Sequence, residues 1–319
     1  MLLESLSTRS TVLVTGGAGF IGSHVTDALV KAGHRVLVVD DLSSGRRENV
    51  HAGAELHTLD ICSPQAARLI ETEGVEVLVH HAAQMDVRRS TEDPAFDAGI
   101  NILGTLNLLG ALANSEVSAE RKQVIFASTG GAIYGEQETF PAEESHPARP
   151  LSPYGVSKLA GERYLFYFHS QYGLNVCCMR YANVYGERQN SHGEAGVVAI
   201  FLKKLLAGEV CRINGDGLQT RDYIHVSDVV RANLAAFGQS GFRTYNVGTG
   251  IETNVVELYG LLASAVGSEL EATHGPGMPG EQRRSSIDSA LLRRELEVPD
   301  PLTLAEGLAL TSAWFRLNA

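Results

Sequence analysis

Three features of the sequence predict an α/β fold, a doubly wound parallel sheet followed by a smaller C-terminal α/β substrate lobe. Short apolar runs alternate with amphipathic stretches through the first half, a glycine-rich turn joins the first run to the first helix, and the alternation stops near residue 186. Strands covered by helices on both faces read as continuous apolar runs, so this cadence implies βαβ units.

The elements follow in order. Val12–Val14 reads as a strand, Phe20–Lys31 as a helix stopping at Gly33, and Val36–Val39 as a second buried strand. Gln65–Thr72 is helical, Val75–Val79 a strand, Ile102–Asn114 a helix and Val124–Phe126 a strand. Lys158–Tyr172 then reads as a helix, followed by a strand at Val176–Met179. Beyond residue 186, helices such as Val197–Leu206 and Val255–Val266 stand among short strands. A chain of 319 residues exceeds what one core usually supports. The expected division is residues 1–185 as a dinucleotide-binding domain, with about 222–250 returning to it, and 186–319 mainly as the second lobe.

A formal charge of −11 argues against nucleic acid or an anionic membrane surface as partner, although a few arginines in a cleft still suit a small anion. No uninterrupted apolar run has membrane-spanning length, and the first residues lack the pattern of a signal peptide. Cys62, Cys177, Cys178 and Cys211 show no metal-ligand or C-x-x-C spacing. Free thiols, no metal and a cytoplasmic setting are the expectation.

"TGGAGFIGSH", residues 15–24, places Gly16, Gly19 and Gly22 between the first strand and the first helix. The first glycine suits a tight turn. The others let backbone approach a pyrophosphate and let helix pack on strand, while N–H groups at the helix start, around Phe20 and Ile21, point at phosphate. Asp40 ends the next apolar run, where a carboxylate accepts from ribose hydroxyls and repels a 2′-phosphate. This is a Rossmann-type site for NAD rather than NADP. The turn after it, with Asp41, Ser43, Ser44 and Gly45, belongs to the same expected site. Asp60 and Ile61 either lie against the adenine or serve a helix start. Ala82, Ala83 and Gln84 stand just past a strand end, where small side chains suit a cofactor crossing the sheet edge.

"SPYGVSK" puts Tyr154 and Lys158 four residues apart, on one helix face. A free phenol is a poor base at neutrality, and a neighbouring ammonium together with the positive charge of an oxidised nicotinamide is expected to bring it toward working pH. Ser128 and Thr129, at a strand's C-terminal end, offer a hydroxyl to relay a proton or orient a substrate oxygen. The competing account is a strand-end turn bonding its own backbone.

Taken together, TGGAGFIGSH, HHAAQ, STGGAIYGE, SPYGVSK, RYANVYG and GDGLQTRDYIHV, in this order, resemble the extended short-chain dehydrogenase/reductase family. The closest subgroup is the nucleotide-sugar 4-epimerases, and the match runs from about residue 11 to the C-terminus. The resemblance implies an NAD-dependent isomerase that oxidises a nucleotide sugar transiently at C4. The expected pair is UDP-glucose and UDP-galactose, with UDP-GlcNAc and UDP-GalNAc as a further one. A UDP-glucuronate epimerase, a 4,6-dehydratase or decarboxylase, and a noncatalytic NAD-binding regulator are the competing readings. Gly130 and Gly131 stand where such lyases carry acidic residues, and the intact Tyr/Lys pair opposes the regulator.

By the same resemblance, Tyr154 is the base, Lys158 its partner, and Thr129 the catalytic hydroxyl, 25 residues before the tyrosine. Ser128 ranks behind it, and Asn101, counted with the expected cofactor residues, either braces the catalytic region or is simply buried and bonded. Asn183, backbone near Gly196 and Val197, and Arg221 would meet the nucleotide sugar. For Arg221, a surface ion pair with Asp222 or Asp228 is the competing account. The family's R-x-G-D/E is replaced by Met278-Pro279-Gly280-Glu281. Arg283 or Arg284 then compensates, or the phosphate is held less tightly. Ser285 falls where a bulky residue narrows the sugar pocket in some relatives, leaving room for an N-acetyl group. Relatives are often homodimers through paired helices, and the stretches near 102–114 and 158–172 suit that role or the core.

Overall fold

Val12, Leu13 and Val14 are all fully buried, as a strand with helices over both faces requires. The computed structural model describes residues 9–190, 196–277 and 282–318. The first part of the chain runs β1 (Thr11–Thr15), α1 (Phe20–Lys31), β2 (Arg35–Asp40), β3 (Glu55–Thr58), α2 (Pro64–Thr72) and β4 (Val77–His80). Next come α3 (Val87–Glu92), α4 (Pro94–Ala98), a π-helical turn (Gly99–Gly104), α5 (Thr105–Asn114), β5 (Gln123–Thr129), α6 (Gly130–Ile133), α7 (Pro153–Tyr172) and β6 (Asn175–Tyr181).

The remaining elements are β7 (Asn183–Tyr185), α8 (Val197–Leu206), β8 (Arg212–Asn214), β9 (Thr220–His225), α9 (Val226–Ala236) and β10 (Phe242–Val247). After them stand β11 (Glu252–Asn254), α10 (Val255–Val266), β12 (Thr273–Gly275), α11 (Ala290–Leu296) and α12 (Leu304–Asn318).

Seven parallel strands form the main sheet, in the order β10-β6-β5-β4-β1-β2-β3. The fold is Rossmann-like. Period-two alternation splits its core into two layers. Val12, Val14, Val36 and Val38 face α1 and α9, while Leu13, Leu37, Leu78 and Val124 face α2, α5 and α7. Chain order reverses at β1, whose neighbours are β2 and β4, so a crevice opens beyond the C-terminal ends of β1 and β4.

β10 lies within the segment expected to return, and it pairs with β6 in the main sheet. α11, which the sequence reading did not send back, also packs on β10 and α9. The smaller lobe holds β11-β9-β7 and β12-β8 around a third core that includes Phe201, Leu202, Leu258 and Phe315.

The helix expected from Ile102 begins earlier. Asp93 caps α4 by accepting from Phe96 N at 3.0 Å, and the run continues through the π turn into α5. By length and composition alone, Pro94–Asn114 is apolar enough to cross a membrane. It packs on α2 and α7 and carries the buried polar residues Asp97 and Asn101, which is the character of a core helix. α7 starts where Ser152 Oγ accepts from Gly155 N, with Pro153 in the first turn, and stops at Gly173 in the left-handed region.

Candidate active site

Gly16 has φ 68°, and a Cβ there would lie 2.8 Å from Ala82 N. A Cβ on Gly22 would lie 2.2 Å from Gly16 O. The glycines therefore admit both a left-handed turn and direct backbone packing between the loop, α1 and the segment after β4. α1 begins with no side-chain cap and no acidic residue in its first turn, leaving the N–H groups at Phe20, Ile21 and Gly22 to favour an anion.

Asp40 is buried, and its two oxygens accept from Ala18 N and Leu42 N, each at 2.9 Å. Burial raises its carboxyl above the usual range, and these two bonds oppose the shift. Gly45 packs against that carboxylate, where a Cβ would stand 2.7 Å from Oδ1. Asp41 accepts from the backbone and hydroxyl of Ser43, and Ser43 and Ser44 are exposed. Leu59 N donates to Asp40 O, so Asp60 and Ile61 follow beside this end of β2. Asp60 accepts from Cys62 N, and Ile61 packs against Gly104. An uncapped helix start, a turn too tight for a Cβ and a carboxylate with spare lone pairs fit the pyrophosphate and ribose of a dinucleotide.

Beyond β4, Ala82 and Ala83 are half-buried at the crevice. The sequence reading placed Gln84 and Asn101 at the cofactor. The structure turns both amides inward: Gln84 N donates to Asn101 Oδ1 at 2.9 Å, and Asn101 Nδ2 donates to Gln84 O at 2.8 Å. Their remaining amide hydrogens go to Asp86 O and Asp97 Oδ1. These residues brace the crevice loop with side chains already satisfied.

Lys158 is buried on α7; its Nζ donates to Ala127 O at 2.9 Å and stands 4.9 Å from the Phe126 ring centroid. Burial pushes its ammonium down to about 8, opposed by Asp97 and then Glu162. Tyr154, one turn earlier, is half-buried, and its backbone N donates to Ser90 Oγ. Burial, then the Asp97 carboxylate, holds its phenol well above its ordinary value. The lower value expected from the sequence rests on Lys158 and the charge of an oxidised nicotinamide together. Among the protein's own groups, burial and Asp97 act in the opposite direction.

Ser128 is the clearest correction. Its hydroxyl donates to Glu162 Oε1 at 2.6 Å, and Glu162 also takes a bidentate Arg180 at 2.9 and 2.7 Å. The serine spends its one donor on a buried ion pair. Thr129, next in the strand, points the other way and is half-buried. Asp97, Ser157, Glu162 and Arg180 were missed by the sequence reading. Only Glu162 had a signal, extending the Tyr154–Lys158 row by four residues.

A Cβ on Gly131 would lie 3.6 Å from Asn183 Oδ1 and 3.9 Å from Thr129 Oγ1, so this glycine leaves the space between two predicted substrate groups. Asn183, Gly196 and Val197 line one small cavity of about 30 Å³ at the start of α8. Arg221 is half-buried on β9, and its Nη1 donates to Thr220 O. Ser285 is buried, and Met278 lies outside the described residues. Arg283 pairs bidentately with Asp216, and Arg284 pairs with Glu252 while stacking on Phe140.

A family model described as the NAD dependent epimerase/dehydratase family matches residues 12–248. The chain belongs to that family. It is 44% identical over 310 residues to a UDP-glucose 4-epimerase of Mycolicibacterium smegmatis, covering 95% of this chain and 98% of the relative. The crystal structure of Thermotoga maritima UDP-glucose 4-epimerase with UDP-glucose is similar at TM-score 0.93 and 44% identity, covering 97% of this chain and 99% of that one. A Thermus thermophilus UDP-glucose 4-epimerase complex with NAD is similar at TM-score 0.89 and 42% identity, over 96% and 99% of the two chains. The family match spans the glycine loop, Tyr154, Lys158 and Arg221, and Ser285 lies beyond it.

Proposed function

We propose that the protein is an NAD-dependent epimerase interconverting UDP-glucose and UDP-galactose through a transient 4-keto sugar. The observation that carries this reading is the near full-length likeness, at 44% identity, to an epimerase structure with UDP-glucose. When bound, NAD supplies reversible hydride acceptance. Gly16, Gly19, Gly22 and Asp40 hold it, Tyr154 takes and returns the proton of the sugar 4-hydroxyl, and Thr129 orients that oxygen. Lys158 places positive charge beside the phenol, opposing the cost of phenolate in a buried site. Arg221, Asn183 and backbone at Gly196 and Val197 grip the nucleotide diphosphate. Binding energy on that end leaves the hexose free to turn over. A glycine pair after Thr129, in place of an acid and a base, disfavours elimination or decarboxylation.

Serine at 285 supports acceptance of the N-acetylated pair. A homodimer is supported by Val156, Tyr164 and Tyr167, which stay exposed on one face of α7, and by exposed Leu103 in the adjoining turn. Four free cysteines support a reducing cytoplasm.

The test is incubation of the purified protein with UDP-glucose and no added cofactor, followed by NMR of the anomeric signals. UDP-galactose is expected. A 4-keto-6-deoxy product or released carbon dioxide would overturn the reading, as would near-wild-type turnover by Tyr154→Phe. Sedimentation is expected to give a dimer mass that Leu103→Lys lowers to the monomer.

A further inference from the structure

Asp97 is wholly buried and held by three neutral side chains. Its Oδ1 accepts from Gln84 Nε2 and Asn101 Nδ2, each at 3.1 Å, and its Oδ2 accepts from the Ser157 hydroxyl. Gln84 follows β4, Asn101 sits in the π-helical turn, and Ser157 lies on α7 between Tyr154 and Lys158. One carboxylate thus ties the crevice loop to the helix that bears the acid–base pair. An asparagine would satisfy much the same geometry at a lower desolvation cost than a carboxylate, so the choice of aspartate calls for a role.

We propose that Asp97 is a positioning residue for the acid–base pair: it fixes Ser157 and the Gln84–Asn101 loop in one frame and, bonded to the residue that precedes Lys158, brings a negative charge to the turn of α7 that holds the buried ammonium. The catalytic part of this proposal rests on the epimerase reading, whereas the electrostatic part does not. Desolvation works against a charged Lys158, and Asp97 is the larger of two carboxylate influences that resist it. The same charge disfavours phenolate on Tyr154, so Asp97 favours the proton on both groups.

The other ionisable side chains on the elements packed here are Glu162, Arg163, Tyr164, Tyr167, His169 and Tyr172 on α7, Arg180, Cys177, Cys178 and Tyr181 on β6, and Arg88, Arg89 and Glu92 on α3; of those on α7 only Glu162 is buried. His80 and His81, at and after the end of β4, are kept neutral by burial, while α5, α6, β5 and the π turn contribute no ionisable group.

The experiment is an NMR titration of the full-length protein carrying carbon-13-labelled lysine, with Lys158→Met assigning the resonance. Asp97→Asn is expected to lower the Lys158 midpoint by about one pH unit and to move the alkaline limb of the epimerase pH–rate profile the same way. An unmoved midpoint in folded Asp97→Asn overturns the electrostatic role. Ser157→Ala, which keeps the charge but cuts the tie, is expected to lower kcat several-fold with KM and the Lys158 midpoint unchanged. Wild-type kcat in that variant overturns the positioning role, and it provides the test if Asp97→Asn does not fold. The titration needs no turnover, so an inactive wild-type protein would defeat the epimerase reading without deciding this one.

Discussion

Thr15 Oγ1 stands 2.6 Å from His80 Nδ1, joining the ends of the neighbouring parallel strands β1 and β4. Hydrogen-bond accounting fixes the directions. Thr105 Oγ1 donates to Asn101 O, so it accepts from His80 Nε2–H, and His80 Nδ1 then accepts from the Thr15 hydroxyl. Thr15 Oγ1 also accepts from Ala82 N, extending the chain into the crevice loop. A neutral histidine is required throughout.

That requirement has a pH consequence. Burial, and to a smaller degree Lys158, pushes His80 and His81 down to about 3. Groups depressed on folding contribute stability above their unfolded value, near 6.5, and lose it as pH falls toward the folded one. Each such histidine contributes a slope approaching about 1.4 kcal/mol per pH unit in that window. Denaturant midpoints at pH 7 and pH 5 are expected to show the wild type losing stability. His80→Gln, which cannot titrate, should lose roughly 1 kcal/mol less per pH unit. Equal slopes would show that His80 is already protonated in the fold.

Lys158 carries the opposite bias between stability and function. Its ammonium is depressed to about 8 in the fold against 10.5 unfolded, so the penalty for burying it is fully present below pH 8 and relieved as pH rises through that window. Lys158→Met removes the penalty. It should therefore raise the melting temperature at pH 7, by an amount reflecting up to about 3 kcal/mol, while lowering turnover by roughly 100-fold or more. A lower melting temperature would mean that the bond to Ala127 O outweighs the desolvation.

The glycine loop allows a sharp contrast. A Cβ on Gly22 would fall 2.2 Å from Gly16 O, and neither backbone can yield without opening the loop. Gly22→Ala is expected to cost a few kcal/mol, roughly as much as a severe core defect, and to emerge from purification without NAD absorbance. Gly260, within α10, has nothing within 4 Å of its ideal Cβ. Gly260→Ala should be neutral or stabilise by up to about 1 kcal/mol. Retention of NAD by Gly22→Ala would disconnect this loop from the cofactor.

What the sequence made legible follows from range. α1, α8 and α10 have the expected bounds because apolar periodicity and glycine stops are local signals. β3 was not foreseen: Glu-Leu-His-Thr has no apolar run, as an edge strand needs none. The return of α11 to β10 is a tertiary decision that no local pattern encodes. The site divides in the same way. Tyr154 and Lys158 share one turn of helix and were readable together, whereas Ser157 and Asp97 are 60 residues apart, and Ser128 and Glu162 are 34 apart. Their roles exist only once strand and helix are packed, which is why the sequence leaves Ser128 open as a substrate group behind Thr129.

Ser128 and Thr129 are separable by experiment. Ser128→Ala leaves Glu162 bonded to Arg180 but removes one buried donor, so a stability loss of about 1–2 kcal/mol with KM unchanged is expected. Thr129→Val conserves shape in a half-buried position and should instead lower kcat, by roughly tenfold or more, with little change in melting temperature. The reverse pattern would move the catalytic hydroxyl from Thr129 to Ser128.

Arg221, in the motif GDGLQTRDYIHV, is the candidate for the diphosphate grip. The two arginines that follow the Met278 departure both have carboxylate partners, Arg283 with Asp216 and Arg284 with Glu252. Each fork is occupied, and Arg284 is further fixed on the Phe140 ring at 3.8 Å. An arginine already neutralised by a carboxylate offers a second anion little net attraction, so compensation by either residue is disfavoured. Arg221→Lys keeps the charge and loses the fork, which should raise KM for UDP-glucose roughly tenfold, corresponding to about 1.4 kcal/mol. Arg284→Met should change KM less than about threefold. A large KM effect at Arg284 with none at Arg221 would mean that substrate draws Arg284 away from Glu252, and the assignment of the grip would move with it.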